Sequence, residues 1–123
     1  MPEFSKQSEA KLVTVHPDLQ NIMRTVIRDF DFTVLCGERG EAEQNTAYNT
    51  GKSKLRYPLS KHNRKPSDAI DIAPYPIDWN DAGRFHELAG RVLEVAALFD
   101  VPIVWGGQWE TFKDLPHFEL REV

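Results

Sequence analysis

The run Ala69-Ile70-Asp71-Ile72-Ala73 constrains the fold more than any other stretch. Its paired isoleucines and the Pro74-Tyr75-Pro76 stop make Ile70–Ala73 a strand, because proline cannot serve a central ladder. Side chains alternate across a strand, so Ile70 and Ile72 share one face and Asp71 takes the other, between two small alanines. A carboxylate withdrawn from water is costly unless it is paired or holds a metal ion. The chain therefore needs a sheet with two unlike faces, one apolar and covered, the other open to a polar cleft. The run His117-Phe118-Glu119-Leu120 repeats the pattern, with Phe118 and Leu120 on one face and His117 and Glu119 on the other. If both strands lie in one sheet with their apolar faces aligned, Asp71 and His117 look into the same cleft.

The rest of the chain supplies the cover. After Pro17-Asp18, residues Leu19, Ile22, Met23, Val26, Ile27 and Phe30 recur at the three-four spacing of a helical face. Phe32–Cys36 reads as a strand stopped by Gly37. Glu41 to Asn49 reads as a short helix with Ala42, Ala47 and Tyr48 turned inward and Gly51 ending it. Residues 52–68 form a long loop, cationic in its first part. Asn80 or Asp81 caps a long helix whose core face is Phe85, Leu88, Ala89, Val92, Leu93, Ala96 and Phe99. Ile103-Val104-Trp105 is a short strand closed by Gly106-Gly107. Some strands follow one another too closely for long crossovers. The expected class is α+β, a small antiparallel or mixed sheet with helices on one face and the cleft on the other.

The 123 residues suit one domain, 1–123, with a polar start (1–11) expected to fray. A net charge of −4 argues against a general nucleic-acid binder, whose footprint is usually strongly basic. The single cysteine, Cys36, excludes an internal disulfide and a cysteine zinc cage, and suits a reducing compartment. No secretory h-region is visible and no apolar run is long enough to span a bilayer, so no membrane insertion is expected. A monomer is expected.

His62 sits in the loop leading to the Asp71 strand and can reach the same point as His117. Two imidazoles and one carboxylate are a normal zinc set with one position left for water. Asp114 lies three residues before His117 across Leu115-Pro116, where a carboxylate can stand beside that water as general base. Each feature has a plainer reading. Lone histidines such as His16 and His86 are usually surface residues, Asp71 can be satisfied by backbone N–H groups or by Arg39, and Glu119 can be an edge-strand charge. The stronger HExxH zinc signature is absent.

Taken together, several stretches resemble one known family. They are Gly37-Glu38-Arg39 through Glu43-Gln44-Asn45 to Tyr48, Gly51-Lys52-Ser53, Ser60-x-His62, Ala69-x-Asp71, Trp105-Gly106-Gly107 and Asp114-Leu115-Pro116-His117-Phe118-Glu119. In this order they resemble the zinc peptidases that include D-alanyl-D-alanine carboxypeptidases and the L-alanyl-D-glutamate endopeptidases of phage endolysins. The resemblance implies His62, Asp71 and His117 as zinc ligands and Asp114 as catalytic base. It implies Arg39 beside the substrate carbonyl or oxyanion, and Ser60 contacting substrate or orienting the site. Pro66-Ser67 lengthen the interval between His62 and Asp71, as in the phage-type members.

The implied reaction is metal-assisted amide hydrolysis of a peptidoglycan stem peptide, with neither Cys36 nor Ser60 as nucleophile. The cationic 52–65 stretch suits a carboxylate-bearing partner, or is simply solvated. An endolysin cutting between L-Ala and D-Glu is favoured and a D-Ala-D-Ala carboxypeptidase is the runner-up. A binding module with a structural metal is the alternative of another class. No cell-wall-binding module is expected, and an endolysin without an export signal would be made in the host cytoplasm and need help to reach the wall.

Overall fold

The computed structural model describes residues 2–111 and 113–122. Its helices are α1 (Lys6–Leu12), α2 (Pro17–Val26), α3 (Glu41–Asn49) and α4 (Ala82–Leu98), and its strands β1 (Phe32–Cys36), β2 (Ala69–Pro74), β3 (Ile103–Trp105) and β4 (His117–Leu120). The strands form one sheet in the order β1-β2-β4-β3, each neighbouring pair antiparallel. The class is α+β, as expected.

The alternation read in β2 and β4 decides which side is covered. Ile70, Ile72 and Phe118 enter the core with Val34 of β1, with Leu19, Ile22, Met23 and Val26 of α2, and with Leu88, Val92 and Ala96 of α4. Each large apolar side chain buried there contributes roughly 1.5–3 kcal/mol. Pro17 opens α2, and the His16 ring accepts from the Asp18 amide at 3.0 Å. Asp81 caps α4 by accepting from the Arg84 amide at 3.3 Å. Leu93 is only half-buried, and Phe99, just past the helix end, is exposed. Both lie at the margin of the stripe rather than in it.

Two elements depart from the sequence reading. The polar start contains α1, capped by Ser5. Its buried Ser8 hydroxyl accepts from the Val34 amide at 3.0 Å, so α1 covers the free edge of β1 that would otherwise expose unpaired backbone. An ion pair, Arg24–Glu9 at 2.6 Å, ties α1 to α2. In α3 the buried residue is Gln44, while Ala42 is exposed and Ala47 and Tyr48 are half-buried. α3 packs on the rim of the polar cleft, not on the apolar core, and its inward side chain is accordingly an amide.

Candidate metal centre and cleft

The β2–β4 register places Asp71 directly opposite His117, on the face away from Ile70 and Phe118. Asp71 Oδ1 lies 3.0 Å from His117 Nδ1. His62 Nε2 lies 3.3 Å from Asp71 Oδ1 and 3.3 Å from His117 Nδ1. Three residues remote in sequence thus turn one donor atom each toward a common point.

His62 reaches that point through a short 3₁₀ turn, Lys61–Asn63. The Ser60 hydroxyl accepts from the His62 amide at 3.2 Å, and Asn63 Oδ1 accepts from the Ser60 amide at 3.0 Å. The turn is pinned to the chain after β1, because the Arg39 amide donates to the His62 carbonyl at 2.7 Å and Asn63 Nδ2 donates to the Arg39 carbonyl at 2.9 Å. Ser60 is thereby nearly buried, as the cap of the turn that presents His62.

The far nitrogen of each imidazole is also committed. His62 Nδ1 donates to the Gly37 carbonyl at 2.7 Å, leaving Nε2 for the common point. His117 Nε2 donates to Glu119 Oε1 at 2.7 Å, leaving Nδ1. Glu119 in turn pairs with Lys61 at 2.9 Å. Such outer partners fix ring orientation and tautomer in metal sites. Glu119, which the sequence alone allows to be an edge charge, is the orienter of His117.

The donor set suits a divalent cation. Tetrahedral ligands about 2.0–2.1 Å from zinc stand about 3.3 Å from one another, and two imidazole nitrogens with one carboxylate oxygen are ordinary zinc chemistry. Without a cation the cluster neutralises itself. Burial works against a charged His62, but the Asp71 charge and hydrogen bond, with help from Cys36, push it up to about 10. Burial would raise Asp71, yet the two imidazoles hold it well below the usual carboxylate range. A metal ion would have to displace protons to enter. Cys36 also comes close, its sulfur 3.8 Å from His62 Nδ1, but that nitrogen is already engaged by Gly37.

Asp114 stands at the edge of the cluster. One of its carboxylate oxygens lies within 4.8 Å of the donor atoms of Asp71 and His117. The Asp114 amide donates to the Gly106 carbonyl and the His117 amide to the Asp114 carbonyl, each at 3.1 Å. A Cβ on Gly106 would sit 2.3 Å from the Asp114 carbonyl oxygen, so only glycine allows this approach. Burial and the neighbouring Asp71 charge push the Asp114 carboxyl up. Arg39 pairs with neither Glu41 nor Glu43. Its Nη2 lies 3.5 Å from Asp71 Oδ2, and its Nη1 donates to Gln44 at 3.0 Å.

These groups open into a cleft of about 920 Å³ that Arg39, Ser60, Lys52, Lys54, Trp79 and Trp109 help to line. The cationic loop is only partly available to a ligand. Lys61 pairs with Glu119, Arg64 with Asp68 and Glu122, and Lys65 with Glu38. The two tryptophans carry no sequence signal. Trp79 is 62% exposed, and the Trp109 ring lies 5.1 Å from that of His117. His16 caps α2, and His86 is exposed against Trp105.

The family model for phage L-alanyl-D-glutamate peptidases matches residues 2–121. The chain belongs to this family. It is 33% identical to the L-alanyl-D-glutamate peptidase of Escherichia phage T5 over 124 residues, covering 97% of this chain and 89% of the relative. It superposes on the crystal structure of the Serratia marcescens L-Ala D-Glu endopeptidase ChiX with a TM-score of 0.83 at 32% identity, covering 96% of this chain and 89% of that one. Membership places this phage-type peptidase with those named for the L-Ala–D-Glu bond, ahead of the D-Ala carboxypeptidase and binding-module readings. Among the described residues no helix is long and apolar enough to cross a membrane.

Proposed function

We propose that this peptidase hydrolyses the L-Ala–D-Glu amide of the peptidoglycan stem peptide with a zinc ion held by His62, Asp71 and His117. The observation that carries the reading is the triangle of donor atoms, 3.0–3.3 Å on a side, with the Asp114 carboxylate next to it. Zinc in such a set supplies Lewis acidity, bringing the pKa of a water toward about 7 and polarising a carbonyl.

The chain's own residues do the rest. Asp114 takes a proton from the attacking water on a carboxylate oxygen and passes it to the departing D-Glu nitrogen. In the metal-free protein burial, with the Asp71 charge, pushes its carboxyl up, and burial favours the protonated form that such a carrier passes through. Arg39 keeps a fixed positive charge beside Asp71 Oδ2 and next to the cleft, where it steadies the ligand carboxylate and favours a developing oxyanion. Ser60 orients the site by capping the His62 turn. Its hydroxyl faces the His62 amide and not a base, so it is not a nucleophile, and no acyl-enzyme forms. The protein works as a monomer made in the host cytoplasm and acts on the wall after release from it.

Mass spectrometry of fragments from defined peptidoglycan tests the reaction. New L-Ala carboxyl ends and D-Glu amino ends are expected. Release of free D-Ala instead would favour the carboxypeptidase, and a zinc-loaded protein that releases nothing would end the enzyme reading. Elemental analysis is expected to find one zinc per chain.

Glu119 offers a separate check. Glu119→Gln removes the charge facing His117 Nε2 and Lys61, and is expected to weaken zinc binding about 10–100-fold in a chelator competition while the thermal transition stays cooperative. Unchanged affinity would leave Glu119 as a charge partner of Lys61 alone, β4 being an inner strand and not an edge.

A further inference from the structure

Gln44 is fully buried yet lies outside the apolar core. A buried amide is costly unless its groups are satisfied, and here all of them are. Its Oε1 accepts from Arg39 Nη1 at 3.0 Å and from Asn63 Nδ2 at 3.3 Å. Its Nε2 donates to Ser53 Oγ at 3.0 Å and to the Leu55 carbonyl at 2.6 Å. The amide cannot be turned around, because Oε1 faces only donors and the Leu55 carbonyl can only accept.

The two ends of this amide therefore hold different things. The oxygen end grips the neighbours of the proposed metal ligands: Arg39, which meets Asp71, and Asn63, which follows His62. The NH₂ end grips the rim, the segment from Lys52 to Leu55 that lines the cleft. The ties on this segment include the Lys52 and Ser53 amides, which both donate to the Ala47 carbonyl, the Ser53 hydroxyl against Leu55, and the Arg56 guanidinium 4.8 Å over the Tyr48 ring. Residues 54–59 are exposed, and Gln44 is the fully buried side chain that reaches this segment.

We propose that Gln44 is a positioning residue for substrate binding. Its NH₂ group fixes the cationic rim at 52–55 against the Arg39 side of the cleft. The peptidase thereby gains a set wall for the carboxylates of an anionic stem peptide. Lysines lining a cleft act through the field they add to it, and that field depends on where the rim is held. The inference rests on the peptidase reading above.

Gln44→Glu separates the two ends. It keeps an oxygen for Arg39 and Asn63 and replaces the NH₂ donor with an acceptor facing the Leu55 carbonyl. The KM for a soluble stem-peptide fragment is expected to rise about five- to tenfold per folded molecule with kcat changed about twofold or less, the effect of losing ground-state binding. Zinc content should stay at the wild-type level. An unchanged KM overturns the proposal, as does a fall in kcat larger than the rise in KM, which would locate the role at Arg39. If Gln44→Glu does not fold, Ser53→Ala decides the matter. Ser53 is half-buried and alanine removes only the hydroxyl that meets Gln44 and Leu55; KM is expected to rise about threefold, and no rise overturns the proposal. Wild-type protein that fails to cleave the fragment at all would remove the peptidase reading, an outcome distinct from any of these.

Discussion

Asp71→Asn is expected to lower hydrolysis on the order of 10³-fold or more while leaving the fold in place, because a water no longer acidified by a cation is a very weak nucleophile. Asparagine has nearly the same shape as aspartate and points away from the core, so Ile70 and Ile72 keep their packing. What it loses is charge. The proposed cation would then be held by two neutral imidazoles and an amide oxygen, with Asp114 as a neighbouring carboxylate outside the proposed set. The competing view is that Asp71 only balances Arg39 and the histidines. That view predicts a lower thermal transition but near-normal turnover and zinc content in the folded fraction. Zinc per chain, turnover and melting of the metal-free protein, measured side by side, separate the two. Turnover within about tenfold of wild type with zinc retained would show that Asp71 is a structural counter-charge. A second readout comes from the metal-free variant: with the Asp71 charge gone, the His62 ring should fall back from its raised value of about 10 when titrated by NMR.

How much of this is legible in the sequence depends on the range of the interactions. The alternation in β2 and β4 is local, and it is enough to put Asp71 and His117 on one face and Ile70 and Phe118 on the other. The register that sets Asp71 directly opposite His117 is a long-range fact: the alternation excludes a one-residue slip but not a two-residue one, so the sequence puts the two in one cleft and the sheet pairing makes them neighbours. His62 is different. Its reach depends on the turn capped by Ser60 and Asn63 and on the backbone clasp to Arg39, and neither shows in the spacing between His62 and Asp71. α1 escapes a sequence reading because a polar seven-residue helix has no stripe to read; its purpose is to cover an edge that only the assembled sheet possesses. Gln44 loses out to its apolar neighbours wherever inward is taken to mean apolar, an assumption that fails beside a polar cleft. The 52–65 loop looks more cationic in sequence than it is in space, because Glu38, Glu119 and Glu122, which meet it, lie outside it.

Asp114→Asn should separate holding the ion from moving the proton. The variant is expected to keep one zinc per chain and to lose hydrolysis by about 10²–10⁴-fold, the usual contribution of a positioned proton carrier. The backbone bonds of Asp114 to Gly106 and His117 do not involve the side chain, so the turn should survive. A carboxamide in this place cannot accept and return a proton, which is the only task proposed for Asp114. Asp114→Glu, with the same carboxylate one methylene further out, should recover part of the activity that the amide loses. Zinc analysis decides between two assignments of the same four residues. Asp71, Asp114 and His117 also bring ligand atoms within 4.8 Å of one another. If Asp114→Asn loses zinc together with activity, Asp114 is a ligand, and His62, whose Nε2 faces the same point, becomes the proton carrier. The geometry favours the first assignment. His62 Nε2 is 3.3 Å from both partners and its other nitrogen is locked to Gly37, the arrangement of a ring held still for a metal. Asp114 stands beside the cluster, where burial and the Asp71 charge push its carboxyl up, as suits the proposed proton carrier.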